Sequence, residues 1–188
     1  MTGLNRKILL FFLTFIATLW ASPVCHAETL SRLFEKAYIT PLKTPVKAHD
    51  FTLPTTRGGD IRLSDLRGRV VLLNIWAIWC GPCRHEMPSI EKLYQHFRGH
   101  DITILAVSVD MLDTELVRAF VEEHKYTFTV LHDRRGRIME SFSARLIPVT
   151  YLINGSGDII GKAIGVRDWS QPAMIRLFEE LLKETERK

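Results

Sequence analysis

The stretch Val70-Val71-Leu72-Leu73-Asn74-Ile75-Trp76 constrains this chain more than any other. It is almost continuously apolar and rich in β-branched residues, the pattern of a strand buried on both faces of a largely parallel sheet. A strand with one face in water would alternate apolar and polar positions, and this one does not. A sheet covered on both faces needs helices, and helices need apolar residues at a 3.6-residue period. That period starts almost at once, because Met87, Ile90, Leu93, Tyr94 and Phe97 recur at helical spacing after Pro82.

The same two periods alternate through the rest of the chain. Ile102 to Val109 reads as a second apolar strand, followed by a helix from about Asp113 to His124 with Leu116, Val117, Phe120 and Val121 inward. Tyr126 to Leu131 reads as a third strand, Arg134-Arg135-Gly136 as a turn, and the region around Ile138 to Phe142 as a short helix. Val149 to Ile153 is a strand, and Asn154 to Asp158 turns it into an antiparallel partner, Ile159 to Ile164. A final helix runs from roughly Gln171 to Glu186. Ahead of all this, Phe51-Thr52-Leu53 and Ile61-Arg62-Leu63 flank a Gly58-Gly59 loop as a small hairpin. Strand, helix, strand, helix is an α/β pattern, and 188 residues suffice for one such domain rather than two.

Arg6 and Lys7 precede an apolar run from Ile8 to Trp20, and a short stretch of mostly small residues ends at Ala27. This is the order of an export signal. The run of 13 residues is shorter than the roughly 20 a bilayer-crossing helix needs, which favours cleavage after Ala27. Retention as an inner-membrane tether is the alternative. The expected organisation is therefore residues 1–27 as signal or anchor, 28–50 as a short helix and linker, and 51–188 as the domain. The helix rests on Leu30, Leu33, Phe34 and Ala37, and the linker on Pro41 and Pro45. The location this implies is periplasmic or otherwise extracytoplasmic.

Charge adds an exclusion. Of 25 basic residues, Arg6 and Lys7 lie in the leader, which leaves 23 against 21 acidic ones. A body so nearly balanced, with no basic stripe carrying aromatics, gives nucleic-acid binding no support.

Of three cysteines, Cys25 falls in the leader, so the body keeps only Cys80 and Cys83, in Trp79-Cys80-Gly81-Pro82-Cys83. One short-loop pair in an exported domain points to a redox dithiol, since a scaffold held by disulfides needs more cysteines. The attacking species in disulfide exchange is a thiolate, and an ordinary thiol with a pKa of about 8.5 is mostly protonated at neutral pH. The pair lies where the buried strand gives way to a helix, and the free N–H groups there stabilise an anion. Cys80, at the helix opening, is expected to attack, and Cys83, one turn in, to resolve. Gly81-Pro82 keeps the turn compact. A plain structural disulfide would close too short a loop to stabilise much. A zinc site from Cys80, Cys83 and His85 lacks a fourth ligand, so no metal is expected. No cofactor beyond the Cys80–Cys83 pair is expected either.

Glu86 shares a helical face with Ile90, Leu93 and Phe97, which predicts a partly buried carboxylate near Cys83. Burial would raise its pKa and make it a proton acceptor for the resolving thiol. The other reading is a carboxylate that merely complements the helix dipole. Trp79 is expected to shield the dithiol and offer apolar contact to partners, Trp76 to be core, and His85 to be solvated.

Trp76-Ala77-Ile78-Trp79-Cys80-Gly81-Pro82-Cys83, with Pro88 after it and Ile147-Pro148 far downstream, resembles the thioredoxin superfamily over about Phe51 to Leu182. The leading hairpin, the extra strand and helix before Pro148 and the leader make it similar to the TlpA/ResA/CcmG group. The resemblance implies a thioredoxin fold with a central mixed sheet flanked by helices. It also implies a cis Pro148 beside the dithiol, with Ile147 and Pro148 docking protein thiol or disulfide substrates. Thioredoxins proper carry an acid six residues before the first cysteine; here Asn74 stands there and the acid is Glu86, as in TlpA/ResA-like members. Those relatives are exported or tethered reductases, several serving cytochrome c maturation, which implies a membrane electron donor of the DsbD type. A peroxidase would need a Pro-X-X-X-Thr-X-X-Cys context, and a copper-binding chaperone a Cys-X-X-X-Cys; this chain has neither at its dithiol.

Overall fold

The computed structural model describes the backbone of residues 23–187 and the side chains of residues 30–187. The apolar run Ile8 to Trp20 lies outside the described residues, as does the leader read over residues 1–27 apart from its last five. Among the described residues no helix is long and apolar enough to cross a membrane. In chain order the elements are α1 (Pro23–Lys36), β1 (Thr40–Lys47), β2 (Thr52–Pro54), β3 (Asp60–Arg62), a 3-10 turn (Leu63–Leu66), β4 (Val70–Trp76) and α2 (Gly81–His96). They continue with β5 (Ile102–Ser108), α3 (Thr114–Glu123), β6 (Thr129–His132), α4 (Arg137–Ser141), β7 (Val149–Ile153), β8 (Asp158–Ile164) and α5 (Pro172–Glu186).

The main sheet has the order β1-β8-β7-β4-β5-β6, and β2 and β3 form a separate hairpin. β4 runs parallel to β5 and antiparallel to β7, which makes the sheet mixed. All seven β4 residues are buried, as the apolar run requires. Successive side chains of a strand point to opposite faces. Val70, Leu72 and Trp76 accordingly join Cys83, Met87, Ile90 and Leu93 of α2 and Leu177 and Phe178 of α5 in one core. Val71, Leu73 and Ile75 join Leu63, Ile138 and Phe142 in the other. Full burial of each such aliphatic side chain contributes about 1.5–3 kcal/mol relative to exposure, so β4 is the most firmly held strand available to present a site. Asn74 has the parity of Leu72 and Trp76 and so faces α2.

Three expectations change. The first helix begins at Pro23 rather than Glu28, and the stretch read as a linker is strand β1, antiparallel to β8. Pro41 pairs opposite Gly161, and the register shifts between Pro41 and Val46, a stretch that contains Pro45. Proline is tolerated on an edge strand, where its missing N–H faces no neighbour, and β1 is the edge. The third strand is also shorter than expected: Tyr126 and Phe128 are buried and stacked at 5.5 Å, but they precede the ladder that starts at Thr129.

Candidate active site

Cys80 is the N-cap of α2, with extended backbone, and Pro82 sits in the first turn. Its Sγ accepts the Cys83 N–H at 3.2 Å, while its carbonyl accepts the first helical bond from Arg84 N at 3.1 Å. The first turn carries no acidic residue. A sulfur anion at this position would therefore face a backbone donor and the positive end of the helix. Cys80 and Cys83 are joined in a disulfide, with Cα atoms 5.2 Å apart. Cys83 is 0% exposed and Cys80 only 5%, so the asymmetry expected between them is small in this oxidised state. Trp79 stands out at 70% exposure beside them. Gly81, Pro82, His85 and Pro88 are exposed on α2, and Trp76 is core at 0%.

The antiparallel pairing of Ile75 with Val149 sets the start of β7 level with the end of β4. That register brings Ile147-Pro148 to the dithiol: the Ile147 carbonyl oxygen lies 3.9 Å from Cys80 Sγ, and the Ile147–Pro148 peptide is cis. Pro148 is buried and Ile147 half-buried. The two residues are 67 positions from Cys80 and meet it only because β7 lies beside β4.

Glu86 is 1% exposed, and its carboxylate is fully engaged. Asn74 Nδ2 donates to Oε1 at 2.7 Å and also reaches Thr150 Oγ1 at 2.9 Å. Oε2 accepts the Arg167 backbone N–H at 3.1 Å and the Trp169 indole N–H at 3.3 Å. Burial lifts the Glu86 pKa from an ordinary 4.5 to about 7; the bonds from Asn74, Arg167 and Trp169 and the charge of Arg167 hold it from rising further. A carboxyl that changes protonation near neutrality, one helical turn beyond Cys83, has the properties of a proton acceptor for that thiol.

Three further residues complete the site without having been marked in the sequence. Trp169 and the Arg167 amide belong to the loop between β8 and α5. Asp110, 0% exposed at the end of β5, accepts the Ile78 N–H at 2.9 and 3.2 Å and the Ser108 hydroxyl at 2.7 Å, which fixes the loop leading to Cys80. An aspartate directly after a buried parallel strand is a legible signal, because that end of the sheet carries the dithiol. Trp169 carries none. Among the described residues no group of three or more His, Cys, Asp or Glu side chains is placed to hold a metal ion.

The sequence profile of the AhpC/TSA family matches residues 45–162, more than half of the chain. The chain belongs to the AhpC/TSA family. Its similarity reaches curated members called thiol-disulfide oxidoreductase ResA. That of Oceanobacillus iheyensis is 42% identical over 100 residues, 53% of this chain and 51% of that protein. That of Bacillus subtilis is 33% identical over 139 residues, 74% of this chain and 75% of that protein. The chain thus spans about half the length of the first of these relatives and three quarters of the second. Among solved structures, the thioredoxin domain of a thiol-disulfide oxidoreductase of Bacteroides vulgatus matches with a TM-score of 0.64 at 25% identity, covering 75% of this chain and 99% of that one. The α/β fold is therefore the thioredoxin fold expected from the motif, and this AhpC/TSA member stands with the ResA-type oxidoreductases.

Proposed function

We propose that the protein is an extracytoplasmic thiol:disulfide oxidoreductase that reduces protein disulfides through Cys80 and Cys83. The observation that carries this reading is the Cys80–Cys83 disulfide closed over the N-cap of α2, with the Cys80 sulfur on the Cys83 N–H. In the reduced enzyme Cys80 thiolate attacks a substrate disulfide. A bond forms between Cys80 Sγ and one substrate sulfur, the substrate S–S bond breaks, and the departing thiolate takes a proton. Cys83, its proton passed to Glu86, then attacks Cys80 Sγ. The Cys80–Cys83 bond forms, the mixed disulfide breaks, and the second substrate sulfur leaves as a thiol once it has collected that proton. The enzyme dithiol loses two electrons and the substrate disulfide gains them.

The Ile147 carbonyl beside Cys80 and the exposed Trp79 are the groups a bound polypeptide would meet first. Return to the dithiol state requires a dithiol donor, which for an exported protein is a membrane protein of the DsbD type. Service in cytochrome c maturation, and the leader as cleaved signal or tether, belong to the same proposal. Expression of Cys83→Ser in the native cell tests it. With the resolving thiol gone, mixed disulfides on Cys80 are expected to accumulate, and mass spectrometry of the adducts names substrate and donor. An absence of Cys80 adducts overturns the assignment of the nucleophile.

A further inference from the structure

The loop between β8 and α5 has no part in the motif, yet it closes the site from behind. It starts where the Gly165 N–H donates to the Pro148 carbonyl at 2.8 Å. The Arg167 guanidinium is held by the Tyr38 and Val166 carbonyls at 3.0 and 2.8 Å. Ser89, on the same turn of α2 as Glu86, bonds the Glu86 carbonyl at 2.7 Å and receives the Trp169 N–H at 3.0 Å. Trp169 itself is 0% exposed. These bonds fix the indole with its N–H on Glu86 Oε2, an oxygen that also accepts the Arg167 main-chain N–H.

We propose that Trp169 is a positioning residue for the proton acceptor: its indole N–H holds Glu86 Oε2 and so sets the pH at which Cys83 becomes able to attack Cys80. This rests on the reading of Glu86 given above and deepens it. The facing groups are few. Cys83 lies on the same helix, Asn74 and Thr150 come from β4 and β7, and the Arg167 guanidinium supplies the nearby positive charge. N–H groups cannot accept a hydrogen bond. With two of them on Oε2, the proton taken from Cys83 is directed to Oε1, on the β4 side. There Asn74 Oδ1, buried and without a hydrogen-bond partner, is available as the acceptor after a half-turn of the amide. Loss of the indole donor removes one of the bonds that favour the carboxylate, so the proton is held to higher pH.

The test uses the reduced protein and the aromatic disulfide 5,5′-dithiobis(2-nitrobenzoate). The first thionitrobenzoate released reports Cys80 attack, and the second reports resolution by Cys83. Trp169→Phe removes the N–H, and incorporation of β-(3-benzothienyl)alanine at position 169 removes it while keeping the ring volume, which guards against a folding defect. For both variants the midpoint of the second phase is expected to move to higher pH by about one unit, roughly a tenfold slowing on the acid side, with the first phase unmoved. In a Glu86→Gln background the same replacements should leave the second phase unchanged. If Glu86→Gln shifts the profile but the benzothienyl variant does not, or if the shift persists without Glu86, the role of Trp169 is overturned. If Glu86→Gln itself leaves the profile in place, the proton-acceptor reading fails and this inference with it.

Discussion

Glu86 is a residue whose chemistry and stability pull in opposite directions. Its folded pKa, raised to about 7 from an ordinary 4.5, means that the folded protein holds this proton more tightly than the unfolded chain does. The stabilising contribution is fully present below pH 4.5 and is lost as the pH rises through about 7, some 2.5 units that correspond to about 3 kcal/mol. Glu86→Gln removes this titration. Urea unfolding of the two proteins should show the variant gaining about 3 kcal/mol on the wild type between pH 4 and pH 8. A difference that stays flat across that range would mean that Glu86 is not the titrating group. The proposed mechanism needs a carboxylate here, because a permanently neutral amide could not take the Cys83 proton. The burial behind the shift was readable in the helical spacing of Glu86, Ile90, Leu93 and Phe97. Its donors were not, because spacing along one helix says nothing of what another element places against it.

At the scale of elements, β1 and α1 are docked through a gap rather than a side chain. A Cβ at Gly161 would lie 2.6 Å from a ring carbon of Phe34 and 3.0 Å from an Ile39 methyl. Phe34 is 3% exposed, so its ring has little room to yield. Gly161→Ala is expected to cost about 1–3 kcal/mol in thermal or urea unfolding. Adding Phe34→Leu should recover part of that loss, a coupling that independent sites would not show. Pro88 is the converse case. It lies inside α2 and cannot donate to the carbonyl four residues back, yet the helix continues to His96 because its buried face, Met87, Ile90 and Leu93, is held by the core.

For the whole molecule, the sheet edges decide where another strand could add to the thioredoxin fold. At one edge Thr56 N–H bonds the Val130 carbonyl at 3.0 Å and Thr55 bridges Leu131, so the hairpin loop covers β6. At the other edge β1 covers β8, and β1 itself carries the exposed Pro41, Pro45 and Lys43, poor partners for another strand. Lys47 ties β1 to the β7–β8 turn through Ser156 O at 2.7 Å and Asp158 at 3.1 Å. Removal of residues 1–47 uncovers the β8 edge and also frees Arg167 from Tyr38. The truncated protein is expected to melt earlier and to associate with rising concentration in size-exclusion chromatography, whereas the intact chain keeps its elution volume.

What the amino-acid sequence determined by itself is local. The almost continuously apolar run Val70–Trp76 demands a strand covered on both faces, and a cysteine pair separated by two residues at the following helix start demands a solvent-facing turn with free N–H groups. Both follow from periods of 2 and 3.6 residues and need no distant partner. The tertiary structure alone decided what surrounds the dithiol. The bonds to Glu86 come from Asn74, 12 residues away, and from Arg167 and Trp169, 81 and 83 residues away. Ile147 reaches Cys80 only through the β4–β7 register. The prolines of β1 mark a break along the chain but an edge in the sheet, since a missing N–H matters only where a neighbour would receive it. Long-range pairing is set by which faces bury together, and no window of sequence contains both faces.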